Sequence, residues 1–263
     1  LRDHEIRHLP MIDRHNRVVG LVTLDEFITP ETPPIQAVIM AGGMGTRLRP
    51  LTDDLPKPML PVGDRPLMEL IINQLKQAGI NRVHLTTHYK KEAIVEHFGN
   101  GEHFGMDLRY VEEDQPLGTA GALSRIDGPV NEPLLVINGD ILTRVDFRAM
   151  HQFHQEHGAD MTVAVRQHET HIPYGVVENE GAYVTGISEK PTIIHLISAG
   201  IYLLEPTVMD FIPKEESYDM PDLITHLVAE GRKVVSFPIP EYWLDIGQLA
   251  DYQAAQADAG KEG

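Results

Sequence analysis

The chain has 263 residues, 42% hydrophobic and 23% charged, enough to bury a sizeable core in one large domain with something small attached. A formal charge of −17 argues against a broad nucleic-acid footprint, which needs many lysine and arginine contacts to phosphate, and the absence of cysteine excludes a disulfide framework, a thiol nucleophile and thiolate zinc sites. No apolar run approaches the roughly 18 residues of a membrane span and no signal sequence opens the chain, so a cytoplasmic protein with no membrane and no nucleic-acid partner is expected.

In chain order, residues 9–13 and 18–23 read as two short strands joined by a polar turn, with a helix beginning over 24–28. Thr29-Pro30-Glu31-Thr32-Pro33-Pro34 follows, and its prolines favour an extended spacer over helix or ladder pairing. The expected divisions are therefore 1–28, a linker over 29–34, and a main domain over 35–263. Fewer than thirty residues cannot bury enough surface to stand alone, so the first segment is expected to belong to a larger module or to pack on a partner, the plainer alternative being a structural arm without a ligand.

Ala37-Val38-Ile39-Met40 reads as a buried strand, and Ala41-Gly42-Gly43-Met44-Gly45-Thr46-Arg47-Leu48-Arg49-Pro50-Leu51-Thr52 follows it, with Pro56-Lys57-Pro58 just beyond. A glycine-rich loop thus sits at a strand's carboxyl end, where open α/β sheets bind ligands. Ala41, Gly42, Gly43, Gly45 and Thr46 let backbone N–H groups close on phosphate oxygens, and Arg47 and Lys57 add fixed positive charge, so the loop reads as a nucleoside triphosphate cradle. The dinucleotide fingerprint fails because Leu48 stands where its third glycine would be, and the Walker pattern fails because no Gly-Lys-Ser/Thr follows.

Leu67, Ile71 and Leu75, with Met68 and Ile72 alongside, predict an amphipathic helix over 66–78 that stops at Gly79. A strand over 83–87, a helix over 90–98 and a strand over 108–111 continue a Rossmann-like α/β alternation. Gly118-Thr119-Ala120-Gly121 combines small residues with a helix start, which suits close approach to a base or ribose and equally suits helix–sheet packing. Leu134-Leu135-Val136-Ile137 is a second buried strand ending at Asn138-Gly139-Asp140, which projects Asp140 into the same crevice. A carboxylate beside phosphates needs a cation between them, so Asp140 is a candidate Mg²⁺ ligand, with a turn-capping role as the alternative.

His151, His154 and His157 recur at three-residue spacing on a predicted helix, without a zinc pattern, and are expected to be solvated and without catalytic role. A hairpin turn over 178–181 places Tyr174-Gly175 and Glu189-Lys190-Pro191 on nearby strands, although a surface ion pair alone explains Glu189 and Lys190. Asp245, in Trp243-Leu244-Asp245-Ile246-Gly247, reads by itself as a helix N-cap at least as readily as a ligand.

The glycine loop, Pro116-Leu117-Gly118-Thr119-Ala120-Gly121, Val136-Ile137-Asn138-Gly139-Asp140, Tyr174-Gly175-Val176, Glu189-Lys190-Pro191, Ala199-Gly200-Ile201-Tyr202 and Trp243-Leu244-Asp245-Ile246-Gly247 together resemble, in order, the signature segments of the sugar-1-phosphate nucleotidyltransferases. The resemblance implies a three-layer α/β fold with a mostly parallel central sheet, and transfer of a nucleotidyl group from a nucleoside triphosphate to a sugar 1-phosphate with release of pyrophosphate. It implies that Asp140 and Asp245 share Mg²⁺, that Arg47 and Lys57 bind the reacting phosphates, and that Gly118, Thr119 and Ala120 help hold the nucleotide. Tyr174, Gly175, Glu189, Lys190, Ser198 and Gly200 fall to the sugar phosphate; Ser198 departs from the asparagine common at that place, and its shorter hydroxyl leaves the sugar open.

The first segment resembles the closing half of a CBS motif, which in a complete module often binds an adenine nucleotide. CBS-linked sugar-1-phosphate guanylyltransferases are thus the nearest resemblance, implying GTP with a hexose or hexosamine 1-phosphate such as glucosamine or mannose 1-phosphate, in a homo-oligomer. Thymidylyl- or uridylyltransferase activity is the alternative within the family. A catalytically silent nucleotide-sugar-binding regulator is another, which has less need for both Asp140 and Asp245.

Overall fold

A computed structural model of the chain describes residues 8–12, 14, 17–23 and 33–260. Two compact units divide it, residues 1–33 and 34–263. In the first, β1 (His8–Ile12) and β2 (Val18–Thr23) pair antiparallel, as their apolar runs predict. The helix expected over 24–28, and residues 29–32 of the spacer, lie outside the described residues.

The second unit runs β3 (Gln36–Met40), β4 (Pro61–Val62), β5 (Arg65–Pro66), α1 (Leu67–Ala78), β6 (Arg82–Thr87), α2 (Lys91–Phe98), β7 (Asp107–Glu112), α3 (Gly118–Gly121), β8 (Leu134–Asn138), β9 (Ile141–Thr143), α4 (Phe147–His157), β10 (Met161–His171), β11 (Gly175–Glu180), β12 (Tyr183–Glu189), β13 (Thr192–Leu204), α5 (Met220–Ala229), β14 (Val234–Pro238), β15 (Trp243–Asp245) and α6 (Leu249–Ala259). Seven strands form one sheet in the order β14-β10-β13-β8-β3-β6-β7. β13 runs antiparallel to β8 and β10, and the other pairs are parallel, giving the mostly parallel sheet that the family resemblance implies.

Strand alternation divides the core between two faces. Ala37, Ile39, Leu135 and Ile137 meet apolar residues of α1, α2 and α4, including Ile71, Phe98 and Phe147. Val38, Leu134 and Val136 meet Ala120 of α3 and Leu223 and Leu227 of α5 on the other. Both faces of β3 and β8 are covered, which is why these strands read as unbroken apolar runs. Among the described residues no helix is long and apolar enough to cross a membrane.

α4 corrects one expectation. Asp146 caps it, accepting the N–H groups of Arg148 and Ala149, and Phe147, Met150, His151 and His154 form its buried face. His151 and His154 are 8% and 1% exposed rather than solvated, and of the three histidines only His157 is exposed. The helical period places 147, 150, 151 and 154 on one stripe, so imidazoles occupy core positions that a hydrophobic pattern does not count. His154 Nδ1 lies 2.7 Å from Thr162 Oγ1 and Nε2 lies 3.1 Å from Glu205 Oε1, whereas His151 Nε2 is buried with no hydrogen-bond partner.

Burial holds both imidazoles below the usual 6.5, with His154 adding to the depression at His151 and Glu205 opposing it at each. They take up protons less readily in the fold than in the unfolded chain, which is protonated as pH falls through 6.5. Their stabilisation is therefore complete above that value and is lost progressively below it. Replacing His151→Leu fills the same apolar site without an orphaned nitrogen. Thermal melts should show an equal or higher Tm at about pH 7.5 and a smaller loss on going to about pH 5.5; an unchanged pH dependence would assign it to other groups, His84 among them.

Candidate active site

β3 delivers the glycine loop to the carboxyl end of the sheet. Ala41 N–H sits within hydrogen-bond reach of both the Thr86 carbonyl (3.2 Å) and its hydroxyl (3.1 Å), which fixes where the chain leaves the strand. Gly45 then turns with φ +62°, its carbonyl accepting the Thr52 hydroxyl at 2.8 Å, and a Cβ there would stand 3.2 Å from that of Lys57. Nothing lies within 4 Å of the place a Gly43 Cβ would occupy, so this backbone faces open space.

That space has two lobes. One, of about 240 Å³, is lined by Gly43, Gly45, Thr46, Arg47, Lys57, Asp140 and Gly247. The other, of about 260 Å³, is lined by Gly42, Gly43, Thr86, Glu113, Gly118, Thr119, Asn138 and Asp140. Gly43 and Asp140 border both. Arg47 and Lys57 line only the first lobe, which is thereby suited to phosphates.

Asp140, just past β8, accepts a hydrogen bond from Lys57 Nζ at 2.6 Å, with the two side chains 26% and 12% exposed. Asp245 arrives by a different route. β15 pairs antiparallel with β9, setting Asp245 opposite Ile141, and Ile246 N–H donates to the Asp140 carbonyl at 3.0 Å. The Trp243 indole anchors that ribbon by donating to the Ala199 carbonyl at 2.8 Å. Asp245 is not the helix cap that its sequence allows, since Gln248 caps α6 in a reciprocal box with Asp251. Burial raises the Asp245 pKa first and the charge of Asp140 raises it further, while Lys57 and Arg47 pull it down. Arg47 Nη1 and Asp245 Oδ1 lie 3.7 and 3.8 Å from where a Gly247 Cβ would stand. Arg47, Lys57 and Asp140 thus line one lobe, and Asp245 stands close enough to feel the charges of all three.

The donor set tests the expected cation. No group of three or more His, Cys, Asp or Glu side chains placed to hold a metal occurs among the described residues. Two carboxylates without nitrogen or sulfur fit a hard cation that completes its shell with phosphate oxygens and water, as Mg²⁺ does.

Glu113 is the site residue that the sequence reading missed. It is 9% exposed at the end of β7, its Oε2 accepts Leu117 N–H at 3.0 Å, and burial raises its pKa. Oε1 stands 2.7 Å from the place of a Gly42 Cβ, at the second lobe. Alternation was the available signal: Val111 is buried, Glu112 exposed, Glu113 buried and Asp114 exposed, so the strand pattern continues past the strand.

The sugar-side residues Tyr174, Gly175, Glu189 and Lys190 come together at the β11–β12 hairpin. Gly175 pairs with Glu189 across the β11–β12 hairpin, and Lys190 N–H donates to the Tyr174 carbonyl at 3.2 Å. Tyr174, Glu189 and Lys190 are exposed and line neither lobe. Lys190 holds φ +48°, an uncommon conformation for a non-glycine residue. The Ser198 hydroxyl lies 2.9 Å from that of Tyr202, and Gly200 packs against the Asn138 amide.

A family model described as nucleotidyl transferase matches residues 36–262. The chain is 33% identical over 235 residues to a mannose-1-phosphate guanylyltransferase of Mycobacterium tuberculosis, covering 86% of this chain and 65% of that protein. It is 35% identical over 231 residues to a mannose-1-phosphate guanyltransferase of Pichia angusta, covering 83% and 62%. It therefore spans just under two thirds of the length of these curated relatives. A crystal structure from Bacillus anthracis, described as a candidate glucose-1-phosphate thymidylyltransferase in complex with sucrose, matches with a TM-score of 0.70 at 26% identity, over 86% of this chain and 95% of that one. The chain belongs to the nucleotidyl transferase family.

Proposed function

We propose that this protein is a sugar-1-phosphate nucleotidyltransferase that joins GTP to a hexose or hexosamine 1-phosphate, mannose 1-phosphate first among them, and releases pyrophosphate. The observation that carries the reading is that Arg47, Lys57 and Asp140 line one lobe of the strand-end crevice, with Asp245 within reach of their charges. An oxygen of the sugar phosphate attacks the α-phosphorus, and the bond to the β-phosphate oxygen breaks as pyrophosphate leaves with the electron pair. The attacking phosphate is already anionic near neutral pH, so no general base is needed. Catalysis then rests on positioning two mutually repelling anions and neutralising their charge.

In this reading Arg47 and the loop N–H groups hold the departing phosphates, and Lys57 spans the reacting ones. Lys190 holds the sugar phosphate, while Tyr174, Gly175, Glu189, Ser198 and Gly200 shape the sugar's place. Asp140 and Asp245 would hold Mg²⁺, which supplies charge neutralisation at the phosphates. Product assays across the common nucleoside triphosphates and hexose 1-phosphates test the reaction; no pyrophosphate release with any pair would favour a silent nucleotide-sugar-binding protein. Lys57→Ala should lower turnover at least about tenfold without unfolding the protein, and near-normal turnover would remove Lys57 from the mechanism.

Glu113 supports guanine. Guanine presents N1–H and its 2-amino group side by side, both donors, and a carboxylate accepts both. Uracil and thymine flank one N–H with carbonyl oxygens, which a carboxylate repels. A uridylyl- or thymidylyltransferase is the second reading, favoured by the likeness to the Bacillus anthracis structure. Glu113→Gln offers one acceptor and one donor, so the preference for GTP over UTP or dTTP should fall by about tenfold; a wild-type preference for UTP or dTTP would decide for the second reading.

The reading also takes residues 1–28 as part of a CBS-like module able to bind an adenine nucleotide, 29–34 as its linker and 35–263 as the catalytic domain of a cytoplasmic homo-oligomer. Removing residues 1–32 should then preserve most turnover. Complete loss in a folded, unaggregated truncation would show that the first segment completes the site.

A further inference from the structure

We propose that Asp219 is a positioning residue for the wall of the base lobe, acting through Thr119 and not on the nucleotide itself; this rests on the nucleotide-binding reading above. Asp219 immediately precedes α5, where an aspartate ordinarily accepts N–H groups of its own first turn. Here its side chain makes no such bond. Its Oδ1 instead accepts Thr119 N–H at 2.9 Å and the Thr119 hydroxyl at 3.2 Å. The helix start left open is capped by Thr119, whose Oγ1 accepts Met220 N–H at 2.8 Å. Each residue caps the other's helix across a hundred positions of sequence.

Tyr218 extends the exchange. Its carbonyl accepts Ala120 N–H and Gly121 N–H, both at 2.9 Å, and its own N–H donates to the Leu117 carbonyl at 2.8 Å. The N–H groups of Thr119, Ala120 and Gly121 are thus committed within the protein, so this segment is a fixed wall and not an anion cradle. Gly118 adopts φ +77°, and a Cβ there would stand 2.7 Å from Asp219 Oδ1, so the approach admits no side chain. The opposite side of the wall faces the lobe: Gly118 and Thr119 line it with Glu113, and Leu117 N–H bonds Glu113 Oε2. Arg125 adds a second tie, its Nη2 donating to Asp114 Oδ2 at 3.2 Å and Glu215 Oε2 at 2.5 Å. The carboxylate that meets the base and the wall beside it therefore form one hydrogen-bonded unit, latched by Asp219.

Asp219→Ser separates positioning from helix stability, because a serine there caps α5 itself but is too short to serve Thr119. With the full chain and MgGTP, calorimetry should give a Kd raised about tenfold, the scale of losing about one net hydrogen bond. KM for GTP should rise in parallel, with kcat and KM for the sugar phosphate changed far less and Tm nearly kept. Asp219→Asn retains the acceptor oxygen and should recover most of the affinity. Wild-type affinity in Asp219→Ser, or equal weakening of both substrates, would overturn the proposal. An Asn variant as impaired as Ser would overturn the acceptor role. Wild-type protein that binds no nucleoside triphosphate would instead overturn the nucleotide-binding reading on which the proposal rests.

Discussion

The 2.6 Å ion pair between Lys57 and Asp140 joins the segment after the glycine loop to the end of β8, and the candidate site is organised around it. A lysine and an aspartate this little exposed hold each other's charge where water does so poorly. A second carboxylate is then set beside the first by main-chain bonds, through the β9–β15 ribbon and the Ile246 N–H bond to Asp140. Its raised pKa records the cost of that placement, and Arg47 and Lys57 offset only part of it. A site that concentrates two like charges at fixed positions is prepared for a countercharge, which a hard cation on its phosphate ligands would provide.

The whole chain carries −17 and repels the polyanions proposed as its substrates. Attraction must be local, and the two lobes show how the field is divided. Arg47 and Lys57 face only the first, while the second carries Glu113, a carboxylate acceptable to a base but not to a phosphate. Under the proposed reaction this polarity orients the nucleotide end to end, phosphates over the glycine loop and base against the wall.

What could be read from the sequence was what is local. The glycine loop, the strand ending in Asp140, the helix over 67–78 and the hairpin carrying Gly175 and Glu189 are continuous runs whose periods declare them. Asp245 needed the family resemblance, because its neighbours alone allow a helix cap and only the pairing with β9 removes that option. Glu113 was hidden among Glu112 and Asp114, since burial, not residue type, sets it apart. His151 and His154 were misread because the helical stripe counts only apolar residues. The exchange of caps between Thr119 and Asp219 could not be foreseen, as each residue looks like an ordinary cap for its own helix. It also shows that the small residues of Gly118-Thr119-Ala120-Gly121, read as room for a base, serve packing against residues 218 and 219 as well.

The most direct test of the two-lobed account is a crystal structure of the full chain with Mg²⁺ and a non-hydrolysable GTP analogue. The account predicts a cation between Asp140 and Asp245, β- and γ-phosphates against Arg47 and the glycine loop, and the guanine edge on Glu113. A nucleotide bound in the reverse direction, or outside this crevice, would contradict it.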